Sequence, residues 1–118
     1  MKDKIDKIVD SLKDELISDL RELIKIPSKK SDAKHDAPYG KNCKKVLEKA
    51  IEIGSKKGFA TKNIDNHMVY CSIGNSPDYV CAMGHLDVVD EMPGWKYPPF
   101  DGEIHDNKMY ARGALDNK

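Results

Sequence analysis

The chain has 118 residues, 39% of them hydrophobic and 34% charged, with twenty basic and twenty acidic side chains that cancel. This is the make-up of one modest globular domain, and the balanced charge gives no pull toward nucleic acid or an anionic membrane. No apolar run approaches the ~20 residues of a membrane span, and the charged opening MKDKIDKIVD lacks the apolar core of a signal peptide, so a soluble, unprocessed protein is expected.

From Lys4 to Ile26 the apolar residues Ile5, Ile8, Val9, Leu12, Leu16, Ile17, Leu20, Leu23 and Ile24 recur at steps of three and four. That spacing predicts one amphipathic helix, stopped by Pro27. Asp19 interrupts a seven-residue repeat, so packing against the protein's own sheet is preferred over a coiled coil, and no heptad sets an oligomeric state. Residues Pro27 to Gly40 are polar and rich in turn formers, which reads as a surface loop.

A second helix is predicted over about Asn42 to Lys57, turning Val46, Leu47, Ala50, Ile51 and Ile53 inward and stopping at Gly58. Two short strands, FATKNI and MVYCSI, follow on either side of DNH. The run YVCAMGHLDVV, Tyr79 to Val89, carries the strongest strand signal in the chain. Val80, Cys81, Ala82 and Met83 are apolar on both faces, which predicts a mid-sheet strand covered on both sides. Beyond it, MPGWKYPPF is a proline-rich loop, and DGEIHDNKMYARG reads as a hairpin turning at Asp106 and Asn107. Helices precede strands, which gives an α/β or α+β class, with no repeat or linker dividing the chain.

His85 and Asp87 lie two apart near the end of that predicted strand, so they share one face where the apolar run gives way to a loop. Ligand crevices form at such strand ends in open α/β sheets. A metal-binding imidazole needs a fixed tautomer, which a neighbouring carboxylate can hold, although the pair could equally be a core histidine bonded to an aspartate. His35, His67 and His105 sit in polar or turn surroundings and read as exposed histidines. Cys43, Cys71 and Cys81 are odd in number and widely spaced, without a C-x-x-C pair. They read as buried thiols of a reduced, cytoplasmic protein rather than a zinc site with His85. Asp90 and Glu91 read as loop acids facing water, and GNSPD has too few glycines for a phosphate loop.

One longer pattern gives these residues a context. Gly84, His85, Asp87, Val88 and Val89, then Trp95, Pro98, Pro99 and Phe100, then Tyr110, Arg112, Gly113, Asp116 and Lys118 form an ordered series. It resembles the first metal-binding segment of the M20 family of zinc peptidases, most of all the dipeptidases of the PepV type, over roughly the last third of the chain. The resemblance implies that residues 1–118 form the N-terminal, incomplete portion of an α/β catalytic domain with helices flanking a mixed sheet. It implies His85 as a ligand of one zinc ion, Asp116 as a bridge between two, and Asp87 as the catalytic residue that orients or polarises the His85 ring.

The sequence departs from the family pattern at three points: Asp90 stands where proline is usual, Ala111 where glycine is usual, and Asn117 where a second acid is common. None is a matched ligand. The implied activity is hydrolysis of a short peptide, above all a dipeptide. The family's general base and remaining ligands lie downstream of the bridging aspartate, so this portion by itself is expected to be inactive. Two alternatives remain open: a different M20 hydrolase such as an aminoacylase or deacylase, and a non-catalytic product acting through the stripe of its first helix.

Overall fold

A computed structural model describes all of residues 1–118. It has three helices, α1 (Lys2–Ser11), α2 (Lys13–Ile24) and α3 (Lys41–Lys56), and four strands, β1 (Ala60–Ile64), β2 (Met68–Ser72), β3 (Glu103–His105) and β4 (Lys108–Tyr110). The strands form two separate antiparallel ribbons, β1–β2 and β3–β4. The α/β class expected from sequence holds, with two-stranded ribbons in place of one larger mixed sheet. The body measures 46 × 41 × 20 Å, and its thin dimension is that of one helical layer on one ribbon.

The single helix expected over Lys4 to Ile26 is divided. Helix α1 ends and α2 begins at Leu12, whose φ of −93° and ψ of −3° lie at the edge of the right-handed helical region, well off the regular helical values. Ser11 contributes to the break, because its hydroxyl donates to the Ile8 carbonyl and competes with the backbone ladder. The expected packing of the whole stripe on a sheet is likewise not found. Helix α1 buries no residue, and Ile5, Ile8, Val9, Leu12 and Leu16 are exposed. Only the far end of the stripe reaches the core, where Ile24 is fully buried and Ile26 nearly so.

The core is small: Ile24, Ile26, Ala37, Cys43, Val46, Leu47 and Val88. Helix α3 supplies three of these from one face and packs on the β1–β2 ribbon, as its apolar spacing predicts. Gly54 permits that approach, since a Cβ there would stand 2.6 Å from Cys71 Sγ. Lys57, just past α3, pairs with Glu15 and with Asp19 of α2, the latter at 2.7 Å. The acid that interrupts the heptad pattern thus ties α2 to the end of α3.

Both ribbons turn where the sequence places them. Asp65 and Asn66 have φ of 49° and 56°, and Asp106 and Asn107 have φ of 50° and 58°. Asn and Asp tolerate this left-handed region better than other side chains, and two such residues in succession match the right-handed twist of a hairpin. Ile64 faces Met68 across the first turn, and His105 faces Lys108 across the second.

The strand expected at Tyr79 to Val89 does not form. Tyr79 is 84% exposed, Val80 fully exposed and Met83 90% exposed, and Tyr79–Gly84 makes no backbone–backbone hydrogen bond. The reason is partnership: an extended run becomes a strand only when neighbours accept its backbone groups, and no segment of these 118 residues lies alongside it. Instead it borders an open, largely apolar groove whose opposite wall comes from α3 and β2. For the same reason Cys71 and Cys81 are exposed, against expectation, while Cys43 is buried.

Candidate metal centre

Although not a strand, residues 85–88 are fixed in place. Ser28, four residues beyond α2 and fully buried, donates its hydroxyl to the Leu86 carbonyl at 2.6 Å. Its own carbonyl accepts the Val88 amide at 3.1 Å and the Cys43 thiol at 3.4 Å. Val88 is buried beneath this contact while His85 and Asp87 stay exposed, so the segment shows a core face and a solvent face.

The second part of the site comes from the end of the chain. Gly113 has φ of +93°, a conformation in which glycine alone is unstrained, and its backbone lies against Val88 and the Lys118 side chain. The Lys118 amide donates to the Gly113 carbonyl at 2.9 Å, closing the turn that carries Asp116. This turn brings Asp116 Oδ1 to 3.2 Å from His85 Nε2.

The other ring nitrogen is also engaged. A carbonyl oxygen can only accept, so His85 Nδ1 donates to the Asp87 carbonyl at 3.0 Å, with the Asp87 carboxylate 3.4 Å away. In the neutral ring this leaves the lone pair on Nε2, the atom that faces Asp116. The Asp87 carbonyl first, and the Asp116 carboxylate next, hold the His85 pKa above its usual value. Asp87 therefore meets the ring mainly through its backbone, where the sequence suggested its carboxylate.

An imidazole nitrogen and an exposed carboxylate oxygen converging on one point are donors of the kind zinc takes. They fit such an ion as part of its ligand set, because no third His, Cys, Asp or Glu joins them. The remaining histidines lie elsewhere. His67 is exposed, its ring edge-on to Tyr39, and His105 stacks on Tyr97 with Nε2 2.7 Å from Glu103. His35 is exposed.

The loop after His85 is braced from both sides. Lys29 pairs with Glu91 at 2.8 Å and Asp90 at 3.4 Å, giving these acids a partner where the sequence left them facing water. The Glu91 carbonyl accepts from the Trp95 indole and from Arg112 Nη2, whose guanidinium lies over the Trp95 ring at 5.3 Å. Trp95 and Arg112 belong to the ordered series read from sequence, but Ser28 and Lys29 do not. Their one local signal is a polar pair directly after a helix-ending proline.

Residues 81–118 match the model of "Peptidase family M20/M25/M40". The chain is 36% identical over 108 residues to a Bacillus subtilis protein named "Putative dipeptidase YtjP", covering 90% of this chain and 23% of that protein. It is 35% identical over 112 residues to a "Putative dipeptidase" of Staphylococcus aureus strain USA300, covering 93% and 24%. The chain thus spans about a quarter of the length of the curated relatives it matches.

Proposed function

We propose, from the match of residues 81–118 to the model of the M20/M25/M40 peptidase family, that the chain forms the N-terminal part of the catalytic domain of a zinc-dependent peptidase acting on short peptides, above all dipeptides. The observation that carries this reading is the convergence of His85 Nε2 and Asp116 Oδ1 at 3.2 Å, from segments far apart in sequence. The dipeptidase names of the relatives support the substrate class; the PepV-type subdivision rests on the sequence resemblance alone.

In this reading His85 would ligate one zinc ion and Asp116 would be shared by two, while the Asp87 carbonyl fixes the ring tautomer by accepting from Nδ1. Zinc held there would polarise the scissile carbonyl and lower the pKa of a coordinated water. Zinc sites take three or four protein ligands, so a chain offering two binds the metal weakly and does not hydrolyse peptides by itself. A reducing, cytoplasmic setting belongs to the same reading, supported by three free thiols of which two are exposed. No helix is long and apolar enough to cross a membrane.

The test is zinc-supplemented hydrolysis of dipeptides and of N-acyl amino acids, by this chain and by a longer polypeptide that adds the family's downstream ligands. Dipeptide cleavage by the longer form alone is expected. Preference for N-acyl amino acids would favour the aminoacylase alternative. The bare apolar stripe of α1 favours a second reading, an interaction module, which inactivity of both forms would support.

A further inference from the structure

We infer that the segment Leu23–Ser28, where α2 ends, is the positioning element of the metal centre, gripping the His85 segment through Ser28 and the Asp116 turn through Lys118. This inference rests on the metal-site reading above.

The grip on the histidine side is the buried Ser28. Its hydroxyl and carbonyl hold Leu86 and Val88, the residues on either side of Asp87. Fixing both neighbours fixes the Asp87 carbonyl, which in turn accepts from His85 Nδ1 and aims Nε2. Upstream, Tyr79–Gly84 has no backbone partner that could do this instead.

The grip on the aspartate side is Lys118. Its Nζ donates to the Leu23 carbonyl at 2.9 Å and the Ile26 carbonyl at 2.6 Å, each of which also accepts a backbone amide, from Ile26 and from Ser28 respectively. Its amide closes the turn at Gly113. Ile24 and Ile26, between these anchors, are buried and keep the segment rigid. Both donor-bearing pieces are therefore referenced to the same six residues, and the 3.2 Å approach of His85 to Asp116 follows from that common base. A serine hydroxyl in a fully buried position suits this task better than alanine, because without it the Leu86 carbonyl loses its partner and residues 85–87 gain freedom. Groups that orient a metal ligand contribute about 10- to 100-fold to metal affinity.

The test is a Zn2+ titration of the 118-residue chain, following the 15N resonance of His85 Nε2, which moves when that atom coordinates. Circular dichroism on the same samples establishes that each variant is folded. Ser28→Ala and Lys118→Met are each expected to raise the zinc concentration at half displacement by about tenfold with the folded fraction unchanged. A purely structural role would lower the melting temperature and leave that concentration unaltered. Should Ser28→Ala fail to fold, Lys118→Met, at a partly exposed position, decides the matter. Native-like binding by the folded variants, with displacement abolished in Asp116→Ala, would overturn the positioning role and leave the metal site standing. No displacement in the native chain would overturn both.

Discussion

His85 Nε2 and Asp116 Oδ1 lie 3.2 Å apart although 31 residues separate them in sequence. Neither belongs to a helix or strand. Their approach is made by a buried serine on one side and a closed turn at the chain's end on the other.

At the proposed metal site zinc and a proton would compete for the same Nε2 lone pair, so zinc binding is expected to depend on pH. The Asp87 carbonyl and Asp116 carboxylate raise the His85 pKa. Without metal, this contributes stability that is fully present below the ordinary histidine pKa and is lost as pH rises through the raised one. Zinc affinity at the proposed site is expected to run the opposite way, weakening as pH falls through the raised pKa. Calorimetric titrations at about pH 8 and about pH 6 check this, with tighter binding expected at the higher pH.

Gly113 is predicted to tolerate no side chain. At φ of +93°, a Cβ would stand 3.1 Å from the Lys118 side chain and 3.2 Å from Val88 Cγ1. Gly113→Ala should cost roughly 1–3 kcal/mol in urea unfolding and weaken zinc binding, because the Asp116 turn shifts. Gly58 has φ of +83° but open space around it. Gly58→Ala should cost about 1 kcal/mol and leave zinc binding unchanged.

The two halves of the N-terminal stripe should behave differently. Ile24 is fully buried, and Ile24→Ala is expected to cost about 2–5 kcal/mol by chemical denaturation. Ile8 is 51% exposed on a helix that buries nothing, so Ile8→Ala should fall within about 0.5 kcal/mol of the native chain. Equal losses at both positions would mean that α1 packs against a partner.

Burial pushes the Lys118 ammonium down from 10.5 to about 8. The folded chain then binds fewer protons than the unfolded chain between those values, so this group withholds stability below about pH 8 and restores it as pH rises toward 10.5. The nearby Cys43 thiol opposes this trend, since burial first and Asp87 next push its pKa up. Comparing the native chain with Lys118→Met isolates the lysine. Relative to the native chain, the variant should lose stability across that pH window, whereas a constant difference would contradict the assignment.

The legible parts of the fold were those set by local chemistry. Helix α3 follows from an apolar face and a glycine stop, and both ribbons follow from Asp-Asn turns whose residues accept positive φ. What sequence missed depended on partners. Tyr79 to Met83 has the composition of a covered strand, but that composition says only that it would be stable between neighbours, and here none flanks it. The α1–α2 break at Leu12 was hidden because the apolar period runs through it. At the site, His85, Asp87 and Asp116 were legible as a pattern and do come together, yet Ser28 was not, because its role exists only once residues 58 positions away fold onto it.

The most direct test of the central claim is calorimetric zinc binding by the native chain, His85→Ala and Asp116→Ala, with dipeptide hydrolysis assayed alongside. Binding by the native chain, its loss in both variants, and no hydrolysis in any sample are expected. Zinc binding that survives both substitutions would contradict the site, and hydrolysis by the native chain would contradict its incompleteness.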